Sequence, residues 1–150
     1  MRDGVGTVGA VTDAPDASRR HPSRDTASAL AANQAFYDAF ESRSLEAMAA
    51  VWDHGPDVLC THPGWRTLVG WTDVRNSWAS LLDNEEHLQF ILTDADATIR
   101  GETAMVHGYE NILFGGAPQS SIAVLNVFAR QGDGDWKMVA HHGAPVMRAR

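Results

Sequence analysis

Four extended runs, HLQFILTDADATIR, TAMVHGYENILF, SSIAVLNVFARQ and DWKMVAHHGA, fill most of the second half of the chain. Only Gly101, Gly115-Gly116 and Gly132-Asp133-Gly134 separate them. Connections this short cannot carry a crossover, so consecutive runs must pair as an antiparallel meander. Antiparallel partners have residue numbers of constant sum, about 232 across the second turn and about 266 across the third, which puts even numbers on one face. That face reads Leu88, Phe90, Leu92, Ala104, Val106, Ile122, Val124, Phe128, Met138 and Ala140, broken by Glu110, Asn126 and His142. The other face mixes polar and apolar residues, among them Tyr109, Leu125, Val127, Val139 and His141.

The first half has helical periodicity. Ala29, Ala32, Phe36 and Phe40 recur at helical spacing from Ser28 onward, with Leu30 and Tyr37 widening the stripe. Ser44 is placed to cap a short second helix through Leu45, Met48 and Trp52, which Gly55-Pro56 stops. DVLCTH reads as a short apolar strand closed by Pro63-Gly64. Thr72 is placed to cap a third helix carrying Val74, Trp78 and Leu81 on one face. Three helices laid on the apolar face of one curved sheet define an α+β architecture, with the helices toward that face.

A chain of 150 residues fits one domain, which buries roughly 68–70% of its unfolded surface. Residues 1–26 mix Gly, Pro, Asp, Ser and Arg without periodicity and read as a disordered arm, leaving 27–150 as the domain. Arg19-Arg20 is followed by HPSRDT rather than an apolar segment, so a twin-arginine signal does not fit. No apolar run approaches the ~20 residues of a membrane helix. A net charge of −7 with scattered arginines argues against nucleic acid as a partner. Cys60 is the only cysteine, so no internal disulfide forms, and a cytoplasmic setting is expected.

Several side chains are candidates for chemistry. Glu110 on an apolar face is either a desolvated carboxyl with a raised pKa, suited to acid–base work, or a mouth residue paired with an arginine. His142 would lie diagonal to Asn126, a pair able to share a ligand, or else bond backbone at a strand end. His62 and Trp65 sit on the loop after the short strand, where they either bind or stabilise the turn. Trp78 reads as core at helical spacing and as a wall of any cavity. His141 and His142 point to opposite faces and cannot chelate together, and no HExxH or paired-cysteine motif occurs, so no metal is expected.

The words HPGW, GW-x-x-V-x-x-SW, YEN, LNVF and WKMVAHHGAP, in this order, resemble SnoaL-like proteins of the nuclear transport factor two-like superfamily. The resemblance covers about residues 28 to 148 and implies a cone whose curved sheet and helices enclose a pocket, with homodimers formed through the outer sheet face. It implies a small-molecule ligand, no cofactor, and either acid–base catalysis of isomerase, hydrolase or cyclase type or a non-catalytic binding or dimerisation module. Similar sequences keep the residue types at His62, Glu110, Asn126 and His142. They often carry Thr where this chain has Leu125, and Ser where it has Ala144. The expected site is therefore Glu110, His142 and His62 for proton transfer, with Trp65, Asn126 and Trp78 for binding.

Overall fold

The computed structural model describes residues 23–84 and 88–147. Most of the arm lies outside these residues, but its last part does not. Helix α1 spans Arg24–Glu41, and Ser23 caps it by accepting a hydrogen bond from the Thr26 amide. Arg130 holds the first turn to the sheet: its guanidinium pairs with Asp25 at 3.0 Å and lies 4.2 Å over the Trp136 ring. Trp136 Nε1 in turn donates to Ser28 Oγ at 2.9 Å. Polar composition marked residues 24–26 as arm, yet these contacts make them helix.

Helix α2, Leu45–Val51, begins at Ser44, whose hydroxyl accepts from the Ala47 amide. Helix α3, Trp71–Leu82, begins earlier than its sequence suggests, because Gly70 and not Thr72 is the N-cap. Gly70 sits at φ 89°, a conformation open to glycine. Its amide donates to the Val58 carbonyl at 2.8 Å, and the Trp71 amide donates to Gly55 at 3.1 Å. The helix start is thus set by loop backbone rather than by a side chain.

The strands are β1 Leu59–Thr61, β2 Leu68–Val69, β3 Leu88–Arg100, β4 Thr103–Phe114, β5 Ala117–Arg130 and β6 Trp136–Pro145. They form one curved, unclosed sheet of order β2-β1-β6-β5-β4-β3. The meander from β3 to β6 is antiparallel as expected, but β1 joins β6 in parallel, so the sheet is mixed. Helix α1 crosses the inner face against β3, β4 and β6. Phe36, Met48, Trp52, Trp78, Val106, Phe128 and Met138 are buried between the layers.

Register decides which side chains reach the interior. β4 and β5 pair one short of the expected sum at the turn, with Phe114 opposite Ala117, and reach it after a register shift past Leu113, so that Ala104 opposes Phe128 and Glu110 opposes Ile122. β5 and β6 begin as expected, with Phe128 opposite Met138, and then slip so that Val127 faces Ala140. Val139 is the extra residue of a β-bulge, and a one-residue slip exchanges the two faces of everything beyond it. His141 is therefore buried and His142 exposed, the reverse of the sequence-based assignment. The slip falls between two attachments on the other edge of β6: the Asp53 amide donates to the Met138 carbonyl at 2.9 Å, and β1 pairs from Ala140 onward.

A further bulge lies between Thr93 and Asp96 of β3, with Asp94 at φ 54°. It folds backbone over Gly108, where an added Cβ would stand 3.2 Å from both Ala95 Cα and the Thr93 carbonyl oxygen. Backbone cannot retreat as a flexible side chain can. Gly108→Ala should therefore destabilise the fold by about 1–3 kcal/mol, the usual cost of overpacking, read as a lower urea midpoint at unchanged slope.

Candidate functional site

The stretch CTHPGW ends β1 in a tight turn. The Trp65 amide donates to the His62 carbonyl at 2.8 Å, with Pro63 second and Gly64, at φ 81°, third. These are the residues a type II turn selects. The turn leaves His62 only 4% exposed and sets Trp65, 46% exposed, at a rim. Pro63 rests on β6 at Gly143, where a Cβ would meet the proline ring at 3.1 Å.

The hydrogen bonds of His62 fix its protonation. Ser77 Oγ donates to the Val74 carbonyl at 2.7 Å, so its oxygen accepts from His62 Nε2–H, 2.8 Å away. The imidazole stands edge-on between the rings of Trp65 and Trp78. Burial pushes its pKa down to about 4, which leaves the ring neutral near pH 7.

Glu110 enters from β4 and is 6% exposed. Tyr37 of α1 donates to its Oε1 at 2.8 Å, and Oε2 has no hydrogen-bond partner among the described residues. Burial pushes the carboxyl up to about 7, while the Tyr37 hydrogen bond works in the opposite sense. The Tyr37 phenol is raised well above its ordinary range, by burial first and then by the adjacent Glu110 charge.

Asn126 is fully buried beneath the same space. Its Nδ2 donates to Asn33 Oδ1 at 2.8 Å and to the Tyr37 hydroxyl oxygen at 3.3 Å. Its Oδ1 lies 2.6 Å from His141 Nδ1. His141 packs against the Phe36 ring at 5.0 Å, and burial pushes its pKa down to about 3, with His62 and His142 adding to the shift.

These groups meet in one cavity of about 200 Å³. Phe36, Phe40, Trp65, Trp78, Phe90 and Ile112 give it apolar walls, and His62, Glu110 and His141 supply polar groups. Four expected residues, Glu110, His62, Trp65 and Trp78, are thus brought together, and Asn126 lies behind the wall. His142 is not in the cavity: it stands on the outer face opposite Leu125. Sequence reasoning missed His141, Ser77, Asn33 and Tyr37. A signal for the last two existed, since Asn33 and Tyr37 share the buried stripe of α1 with Ala29 and Phe36, where polar atoms need partners. Among the described residues, no three His, Cys, Asp or Glu side chains group as metal ligands.

A curved sheet under three helices, with a carboxyl and two neutral histidines in an aromatic cavity, defines a cone-shaped α+β pocket protein. The model of the SnoaL-like domain matches residues 29–148, and the chain belongs to that family. A candidate dehydratase of the NTF2-like family from Streptomyces avermitilis is 38% identical, with TM-score 0.77 over 85% of this chain and all of that one. A candidate calcium/calmodulin-dependent protein kinase type II association domain from Thiobacillus denitrificans is 33% identical, with TM-score 0.69 over 79% of this chain and 94% of that one. The F-box protein SKIP8 of Arabidopsis thaliana is 26% identical over 81% of this chain, which spans about half (51%) of that protein. No described helix is long and apolar enough to cross a membrane.

Glu110 makes stability depend on pH. Its folded pKa is raised from 4.5 to about 7, so between those values the native state holds a proton the unfolded chain has lost. Stability from this group therefore falls as pH rises through that window. Glu110→Gln keeps an acceptor for Tyr37 and removes the fall, while the opposing slopes of His62 and His141 remain in both proteins. The variant should match wild type near pH ~4 and exceed it near pH ~8 by on the order of 3 kcal/mol, measured by urea titration at each pH.

Proposed function

We propose that this protein binds a small apolar organic molecule and acts on it by cofactor-independent acid–base chemistry. Glu110 carries this reading. A buried carboxyl pushed up to about 7, one oxygen held by Tyr37 and the other without a partner, can accept or give a proton near neutrality. His141 is the second polar group, in place of His142, and His62 orients the ligand against Trp65 and Trp78. Similarity to a candidate dehydratase supports chemistry at this cavity. The single buried cysteine supports a cytoplasmic setting.

The test is a thermal-shift and turnover screen against hydrophobic ketones, epoxides and hydroxylated aromatic compounds. With a turned-over hit, Glu110→Gln and His141→Ala should each lose 10²–10⁴-fold in kcat, by rough precedent for acid–base groups, and His142→Ala should lose little. The wild-type rate should titrate near pH 7, following Glu110. Turnover that survives both changes removes Glu110 and His141 from the chemistry, and a ligand that binds without being turned over leaves a binding protein.

A second reading, a non-catalytic association module, draws on the outer sheet face. Tyr109, Leu125 and Ile91 are 42%, 43% and 51% exposed there, and the association-domain relative points the same way. Homodimerisation through this face fits either reading. Sedimentation should report two chains for wild type and one for Leu125→Glu. A wild-type monomer at micromolar concentration removes the dimer.

A further inference from the structure

The cavity's unpaired polar atoms define what an occupant must offer. Asn126 settles the most important of them. Both hydrogens of its Nδ2 are committed, to Asn33 Oδ1 and to the Tyr37 oxygen, and the hydrogen of Tyr37 goes to Glu110 Oε1. Asn126 can therefore show His141 only its carbonyl oxygen. At 2.6 Å from that oxygen, His141 Nδ1 must carry a hydrogen. A neutral imidazole has one N–H, so Nε2 of His141 is a bare lone pair. It has no partner among the described residues, although His141 is 4% exposed and lines the cavity.

The other loose end agrees. Glu110 Oε2 is a second unpartnered acceptor when the carboxyl is ionised. Trp78 is also a wall residue, but its indole N–H is fully enclosed and offers the occupant no donor. Two acceptors in an aromatic enclosure call for a hydrogen-bond donor on the occupant, which a hydroxyl group supplies. A carbonyl would leave His141 Nε2 facing a lone pair, and a carboxylate would face Glu110. An ammonium group would be buried among neutral walls with a single carboxylate already bonded to Tyr37.

Resting on the pocket reading above, we propose that the ligand is a small neutral hydroxyl compound, a phenol or cyclic alcohol, that donates its hydrogen bond to Nε2 of His141. Asn126 is the positioning residue that makes this nitrogen an acceptor. Asn33 and Tyr37 keep Asn126 from turning over.

Two measurements on the full chain test this. The first is the ¹⁵N spectrum of the His141 ring at neutral pH, which should show a protonated Nδ1 and an unprotonated Nε2; the opposite tautomer overturns the proposal. The second is calorimetric titration with four probes of one shape: 4-ethylphenol, 4-ethyltoluene, 4-ethylbenzoate and 4-ethylbenzylammonium. The phenol should bind at least about fivefold more tightly than the toluene, the worth of one hydrogen bond, and both ions should bind more weakly than either. In Asn126→Leu, the proton of His141 is free to move to Nε2, so the ¹⁵N spectrum should change tautomer while 4-ethyltoluene binding stays, and an unchanged tautomer removes Asn126 as the positioning residue. If that variant does not fold, the wild-type spectrum and the wild-type probe series decide the matter. Equal binding of phenol and toluene, or tightest binding of the ammonium, overturns the hydroxyl assignment and leaves the pocket reading in place. Failure of all four probes to bind overturns the pocket reading, and this inference with it.

Discussion

One buried amide holds the interior in a single arrangement. Asn126 is completely enclosed and joins α1 to β5 and β6 through Asn33, Tyr37 and His141. In a low-dielectric interior each of these groups costs about 1–3 kcal/mol if left unpaired, so the network forms as a whole or not at all. Its satisfaction fixes how α1 sits across the sheet. It also fixes where Tyr37 presents its hydroxyl, and therefore which oxygen of Glu110 is left for the cavity.

The sheet was legible in its strand order from β3 to β6 and in the inward face of β4 and β5, although β4 and β5 reach the expected register only past a shift beside their turn. Gly115-Gly116 and the even-number rule place Glu110 and Asn126 inward, and both are there. The rule failed after Val139, because a bulge at Val139, between Met138 and Ala140, carries no Gly or Pro to announce it. What accompanies it is non-local: Asp53 and β1 attach to β6 on either side of the slip. Parallel pairing of β1 is equally invisible, since it joins residues near 60 to residues near 141 with no local signature. The same holds for Gly70, whose role as N-cap depends on carbonyls at Gly55 and Val58.

Of the site, the residue types were legible and the partners were not. Glu110, His62, Trp65 and Trp78 stand out as polar or aromatic groups at the edges of apolar patterns, and the fold gathers them. Replacing His142 with His141 reverses one assignment by one residue, which is the resolution limit of a period-two pattern. Tyr37 was read as widening a helical stripe, and Asn33 beside it drew no reading. Periodicity reports which face a side chain occupies and is silent about the hydrogen bonds its tip will make.

The contact between Pro63 and Gly143 gives the rim a particular evolutionary leverage. The turn that carries His62 and Trp65 rests on a strand position with no side chain, two residues from His141. Any Cβ there presses on Ile122 and on the proline ring, which is itself part of the cavity wall. A single change at Gly143 thus pushes on the turn that carries His62 and Trp65 while every residue that lines the cavity keeps its identity. Descendants of such a chain can trade one guest for another by adjusting the hinge of the door and leaving the furniture of the room untouched.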